Sequence, residues 1–306
     1  VLAVRLPVLG VALQLGAVLV PAWLADDMSS PGLPTPDSTP DSTADSSPGT
    51  AGEITDADID ALAERYYGTI GAVGYADPLP LDPADTVLVV VDAQQHIAKP
   101  AIRASLTAAG LYEPGVEPVL DAIEARTRAA AANIGEVLAA CRAIGIRAVH
   151  VGIQALLPGA EDTGALHRAG GMLYPPGSAA SEFLPEAAPA TGEIVLTKTC
   201  SGIHVGTRID QVLRNLGADK VVMAGFYTDQ CISASVRDLA DIGYRVSLIE
   251  DAMGAMSPQR HRNALESIRK LYANSETTAE FVARAGALAE RSRGRRGGWL
   301  TGRHRR

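Results

Sequence analysis

Three residues of different chemistry follow three short apolar runs. Asp92 ends TVLVVVD, Lys198 ends EIVLTK, and Cys231 opens a helical pattern after KVVMAG, inside GFYTDQCISASVRD. Each has an ordinary explanation by itself: Asp92 as the cap of a turn, Lys198 as a solvated strand end, Cys231 as a small buried apolar residue. Runs that are apolar at every position, such as Val87 to Val91, fit strands of a parallel sheet covered on both faces, and such sheets bind ligands beyond the carboxyl ends of their strands. Together the three residues place a carboxylate, an ammonium and a thiol on one rim, the groups that a thiolate hydrolase needs. The start of a helix adds a positive field at Cys231, which favours the thiolate.

The elements that must hold these residues are legible as an alternation. From residue 86 the strand-like runs TVLVVVD, RAVHVGI, EIVLTK, KVVMAG and YRVSLIE alternate with helical patterns around 117 to 143, 208 to 216 and from 230 onward, and further helices are expected near 257 to 272 and 279 to 291. This predicts βαβ units and an α/β, three-layer Rossmann-like fold, a mostly parallel sheet with helices on both faces. Ahead of it, ITDADIDALAERYYGTI predicts a helix capped by Thr55 or Asp56, with Ile59, Leu62, Ala63 and Tyr66 on the face that packs on the domain.

The chain has 306 residues, enough for one large domain plus tails, and the domain is assigned to 54–291. Residues 1–27 form an apolar leader. One arginine followed by a long apolar run reads as a secretory signal or membrane anchor, whereas Met28 opening the next segment reads as an upstream start, and both accounts stay open. Residues 28–53 are rich in Ser, Thr, Pro, Asp and Gly and predict disorder. Residues 292–306 form a basic Gly/Arg-rich tail, expected to fray. A formal charge of −8 gives no reason to expect nucleic acid as a partner. Three widely spaced cysteines, with no CxxC, suggest neither a disulfide framework nor structural zinc, and fit a cytoplasmic setting, with export or membrane anchoring as the alternative if residues 1–24 act as a signal or anchor.

The chain resembles the isochorismatase-like cysteine hydrolases, a family that includes nicotinamidases, carbamoylsarcosine amidase, ureidoacrylate and biuret hydrolases, and isochorismatases. The resemblance runs from about Asp85 to Val282 through VLVVVDAQQHI, PEAAPATGEIVLTK, GTRIDQVLRNLGADKVVMAGFYTDQC and SVRDLADIGYRVSLIEDAMGA, in that order. It implies a catalytic triad of Asp92, Lys198 and Cys231. Lys198 would lower the thiol pKa and hold the carboxylate, Asp92 would move the proton from thiol to leaving amine, and Cys231 would attack the carbonyl carbon. It also implies an oxyanion hole from the backbone N–H groups of Tyr227 and Cys231, beside a non-proline cis peptide between Phe226 and Tyr227. It implies no cofactor, a small-molecule substrate and a homo-oligomer.

The chain departs from the family at several points. Ile97 stands where an aromatic is common, and SGIHVGT is one residue longer than the usual interval after the lysine. The Asp-x-His-x-x-His metal pattern of nicotinamidases is absent: His150 lies in an apolar strand and His167 in a polar loop, so no metal site is expected. Gln94, His204, Tyr227 and Asp229 are candidate substrate contacts by position. Cys200 reads as a spectator thiol, and Met172, Tyr174 and Phe183 as a lid or as packing. The expected function is metal-independent hydrolysis of a C–N bond in a small amide, carbamoyl or ureido compound through an acyl-enzyme. Its rivals are vinyl-ether hydrolysis of the isochorismatase type, in which glycine stands at the nucleophile position, and a catalytically silent binding or assembly module.

Overall fold

The computed structural model describes residues 54–71 and 78–301. By backbone contacts the chain divides into Val1–Glu53 and Ile54–Arg306. The apolar leader and the Ser/Thr/Pro/Asp-rich segment therefore lie outside the described residues, as do residues 302–306 of the tail.

Six strands form one sheet among the described residues: β1 (Thr86–Val91), β2 (Arg147–Ile153), β3 (Ile194–Lys198), β4 (Lys220–Phe226), β5 (Arg245–Gly254) and β6 (Asn274–Glu276). Their order is β3-β2-β1-β4-β5-β6 and every neighbouring pair is parallel. The helices are α1 (Asp56–Gly71), α2 (Lys99–Ala108), α3 (Glu117–Ile144), α4 (Ala165–Ala169), α5 (Ile203–Gly206), α6 (Ile209–Asn215), α7 (Ser233–Asp241), α8 (Pro258–Ile268) and α9 (Thr278–Thr301).

The unbroken apolar runs are explained by burial on both faces. Val87, Val89 and Val91 of β1 face one core with Val149, Val151, Val221 and Met223, closed by Leu213 of α6, Val236 of α7 and Leu265 of α8. Leu88 and Val90 face the other with Val222 and Ala224, against Ala131, Ile134 and Leu138 of α3 and Phe281 of α9. Side chains alternate across a strand, so a strand buried on both faces must be apolar throughout. The chain winds from β1 outward to β3, then returns to place β4 on the other side of β1. The strand order thus reverses between β1 and β4, and the crevice at that switch point is where such sheets hold ligands.

Two expectations fail at the periphery. Ile59, Leu62 and Tyr66 of α1 are 57%, 62% and 60% exposed rather than packed. Instead α1 turns Glu64 and Tyr67 toward the body, where Glu64 pairs with Lys270 and Tyr67 borders a cavity shared with Arg237 and Tyr272. A cap of the expected kind is present: the Asp58 N–H donates to Thr55 Oγ1 at 3.3 Å and the Thr55 N–H to Asp58 Oδ2 at 2.9 Å. At the other end, α9 continues through Thr301, past the expected boundary at Arg291. Its first turns are anchored, Phe281 in the core and Arg284 on Glu276, which lets the backbone pattern run on into a Gly/Arg-rich stretch. Among the described residues, no helix is long and apolar enough to cross a membrane.

Candidate active site

The site is assembled from the carboxyl ends of β1, β3 and β4. After Val91 the chain bends at Asp92, whose φ is 51°, a left-handed conformation that aspartate tolerates better than most residues. The Asp92 N–H donates to the Val151 carbonyl at 2.8 Å, which fixes the bend against β2. Next door, Gly225 of β4 lies so close to β1 that a Cβ there would stand 2.0 Å from the Val91 carbonyl oxygen, and its φ is 124°. Only glycine fits, and the carboxyl ends of β1 and β4 are drawn together. The peptide that follows, Phe226 to Tyr227, is cis, where the family resemblance places one.

Cys231 is carried by a wide turn, Thr228–Ile232, closed by the Ile232 N–H donating to the Tyr227 carbonyl at 3.2 Å. α7 begins only at Ser233. Two side-chain ties hold this turn to α8: Thr228 Oγ1 lies 2.8 Å from His261 Nδ1, and Asp229 Oδ2 pairs with Arg260 at 2.5 Å. Beneath it, Ser235 Oγ donates to the Cys231 carbonyl at 2.6 Å.

Lys198 reaches into this crevice from the end of β3, and its side chain is fully buried. Its Nζ donates to Asp92 Oδ2 at 2.8 Å, to the Cys200 carbonyl at 3.0 Å and to Cys231 Sγ at 3.4 Å. Three partners match the three protons of an ammonium. α5 packs directly over the lysine: a Cβ at Gly206 would stand 2.8 Å from both Lys198 Cβ and Cys200 Sγ. Cys200 therefore contributes its carbonyl to the site, while its thiol turns to the Gly202 carbonyl at 3.4 Å.

The electrostatics correct one expectation. Burial alone lowers the Lys198 pKa, but the shift is upward, with the Asp92 carboxylate as the foremost raising cause, and the ammonium stays charged. Burial, and next the Asp92 carboxylate, push the Cys231 thiol well above the ordinary cysteine range, and Lys198 does not reverse this. Burial and the neighbouring carboxylate thus favour the protonated thiol over the thiolate that a helix start suggests, and the hydrogen bond given to the sulfur comes from Lys198 Nζ at 3.4 Å. The field of one wide turn is outweighed by desolvation of a side chain that is only 5% exposed and faces a carboxylate.

The candidate substrate contacts divide. Gln94 is spent on backbone: its Oε1 accepts from the Ile153 N–H at 2.7 Å, and its Nε2 donates to the carbonyls of Ser181 at 2.6 Å and Ile153 at 3.2 Å. It clamps β1 to β2 and to the loop before β3. His204 lies apart from the crevice, in a groove with Val205, Asp238, Asp241 and Ile242. Its neighbour Ile203 takes the inward position on the one-turn α5, so the next side chain points elsewhere. Tyr227 and Asp229 do border the turn, and burial raises the Tyr227 phenol, with Tyr174 and Asp229 adding to it. Of the loop residues, Phe183 packs edge-on against His150 with centroids 5.7 Å apart, whereas Tyr174 meets His96 at 5.4 Å.

His96 and His167 were not among the expected site residues. Both lie within the fields of Asp92 and Lys198. The position of His96, four residues beyond Asp92 and just past the strand end, is the signal that could have marked it. His167 stands far off in sequence and offered none. Among the described residues, no group of three His, Cys, Asp or Glu side chains could hold a metal ion.

Comparison with known proteins agrees with this architecture. The Isochorismatase domain family model matches residues 86–280. The ureidoacrylate amidohydrolase RutB of Caulobacter segnis is 27% identical over 71% of this chain and 92% of its own length. The maleamate amidohydrolase of Pseudomonas putida is 28% identical over 76% and 99%. Among solved structures, a cysteine hydrolase from Pseudomonas syringae pv. phaseolicola superposes with a TM-score of 0.56 at 22% identity, covering 68% of this chain and 96% of its own, which speaks to the fold.

Proposed function

The chain belongs to the isochorismatase family of hydrolases, and we propose that it cleaves a C–N bond of a small amide, carbamoyl or ureido compound through a covalent acyl-enzyme on Cys231, with no step at a metal. The observation that carries this reading is the buried Lys198 ammonium, which touches both the Asp92 carboxylate, at 2.8 Å, and the Cys231 sulfur, at 3.4 Å. The amidohydrolase relatives support the same reading.

The resting thiol keeps its proton, which burial and the Asp92 carboxylate both favour. As sulfur bonds to the substrate carbonyl carbon, that proton passes to the carboxylate, and the carbonyl π electrons move onto oxygen. The N–H groups of Tyr227 and Cys231 are the proposed donors to this oxyanion. Collapse of the tetrahedral adduct breaks the C–N bond, Asp92 returns the proton to the departing amine, and a thioester remains. Water then gives a proton to Asp92 as it attacks the thioester, and the thiol reforms as the acid leaves. Lys198 stays charged throughout and offsets the negative charge that moves between Asp92 and sulfur. Vinyl-ether hydrolysis would leave Cys231 without a task.

The test is the intermediate. A slow amide or ureide substrate, quenched in acid, should leave acyl mass on the peptide that contains Cys231. Turnover that survives Cys231→Gly, with no adduct from any substrate, would sink the proposal.

A further inference from the structure

The chemistry above gives no task to His261, yet this ring is bonded to the turn that carries the nucleophile. Thr228, the first residue of that turn, is fully buried. Its Oγ1 donates to the Gly254 carbonyl at the end of β5, at 3.0 Å, and lies 2.8 Å from His261 Nδ1 of α8. A hydroxyl has one proton to give and lone pairs with which to receive, whereas the Gly254 carbonyl can only accept. Both bonds form when the Thr228 proton goes to Gly254 and His261 Nδ1 carries a proton that it donates to Oγ1. The other tautomer makes one bond where the geometry offers two, and buried polar groups take the fuller set.

Both ends of this chain of bonds are fixed. Ser257 caps α8, its Oγ accepting from the Arg260 N–H at 3.2 Å, and the His261 N–H donates to the Ser257 carbonyl at 3.1 Å. Gly254 is in register with Phe226 where β5 pairs with β4, and a Cβ there would stand 3.0 Å from the Phe226 ring. The imidazole therefore joins a capped helix start to the residue just beyond Tyr227.

The two ties between α8 and the turn are unequal. In the Asp229–Arg260 pair the arginine side chain is 59% exposed, and a solvated pair of this kind holds geometry weakly. The His261 bond ends on a hydroxyl that water does not reach, where a hydrogen bond is stronger and its loss is felt.

Resting on the hydrolase reading, we propose that His261 is a positioning residue. By donating from Nδ1 to Thr228 it holds the turn so that the N–H groups of Tyr227 and Cys231 meet the oxyanion. It acts through Thr228 and exchanges no proton with the substrate. Its effect falls on kcat, because donors aimed at an oxyanion are used more in the transition state than in substrate binding.

The experiment measures ammonia release from maleamate and from ureidoacrylate by the full chain and its variants. His261→Ala removes the donor. The ring borders a cavity of about 280 Å³ shared with Arg126, Asn133 and Glu250, so truncation widens an existing space instead of leaving a sealed hole in the core. In this variant kcat should fall about tenfold while KM changes less than about twofold. His261→Asn, whose amide places an N–H near the position of Nδ1 but cannot shuttle a proton, should recover most of the loss. Thr228→Val removes the hydroxyl, and adding His261→Ala to it should cost nothing more, because the two residues share one bond. Losses that multiply in the double variant, failure of asparagine to rescue, or a loss confined to KM overturns the proposal. Should His261→Ala not fold, Thr228→Val against Thr228→Ser, which keeps the hydroxyl, makes the same comparison.

Iodoacetamide labelling of Cys231, followed by peptide mass, is the second readout. A released turn uncovers a sulfur whose residue is now 5% exposed, so labelling should be at least about threefold faster in His261→Ala and near the wild-type rate in His261→Asn. If neither compound releases ammonia, labelling decides. Faster labelling in His261→Ala, restored in His261→Asn, upholds the tie while the hydrolase reading falls. Equal labelling in all three proteins overturns the tie itself.

Discussion

Replacing Lys198 by Met tests whether the buried charges depend on one another. Lys198 and Asp92 have side chains 0% and 2% exposed, Lys198 Nζ lies 2.8 Å from Asp92 Oδ2, and Asp92 Oδ1 has no hydrogen-bond partner. Methionine fills nearly the same volume without the charge, so the variant strands a carboxylate in the core. Breaking one side of such a pair costs about 3 to 5 kcal/mol, mostly as the desolvation of the charge left behind. Asp92→Asn makes the complementary error, stranding the ammonium, and asparagine still accepts the left-handed backbone. The double variant removes both charges together and should be more stable than the sum of the single losses implies, by about 2 kcal/mol or more. Urea unfolding at pH 7 of the four proteins gives the cycle, and ammonia release with a competent substrate should fall at least about a hundredfold in each single variant. If Lys198→Met loses less than about 1 kcal/mol, or the double variant equals the sum of the singles, the pair is not coupled as its geometry requires.

Other outcomes follow from the same electrostatics. Because burial and Asp92 raise the Cys231 thiol above its ordinary value of 9.0, inactivation of the free enzyme by iodoacetamide should be slow at neutral pH and should accelerate through pH 9 without a plateau. A plateau near pH 7 would mean a resting thiolate. Cys231→Ala should abolish turnover, while Cys141→Ala, remote in α3 with a thiol pushed up to about 12 by burial, should keep it. Glu193 is held down at about 2 by Arg142, by the Ala190 N–H and by His150, against an ordinary 4.5. Its folded value is depressed, so its contribution is present above pH 4.5 and is lost as the pH falls through 2. The contribution is at most about 3 kcal/mol at neutral pH. Glu193→Gln should lower the urea midpoint at pH 7 and flatten its fall between pH 5 and pH 2.5, and an unchanged acid limb would refute the assignment.

The central strands were legible because burial on both faces leaves no room for polar residues: RAVHVGI is β2 to the residue, and β1, β3 and β4 differ from their expected runs by one residue each. The edge was not legible. β6 consists of Asn274, Ser275 and Glu276, which carry no apolar signal and pair because β5 offers Ser247 to Ile249 as a free edge. α1 misled because an apolar stripe states what a helix can bury, not what lies beside it. Its contact with the body runs instead through Glu64 and Tyr67.

The site shows the same division in finer detail. Asp92, Lys198 and Cys231 could be found because a polar residue ending an apolar strand has its position dictated by the strand itself, and three strand ends share one rim. Gln94, two residues beyond Asp92, obeyed the same local logic and still turned inward, because Ile153 and Ser181, fifty-nine and eighty-seven residues away, supply the backbone groups that saturate its amide. His167 entered the site for the converse reason, carried there by a loop tied at Thr199 and Tyr174. The protonation state of Cys231 is the extreme case. A helix start argues for thiolate from a few neighbouring peptides, but the thiol state is set by everything that excludes water around the sulfur, and by a carboxylate from another strand. Proton transfer to a nearby carboxylate during attack does not require a resting thiolate, so a buried thiol that shares the Lys198 ammonium with Asp92 is compatible with nucleophilic attack once substrate arrives.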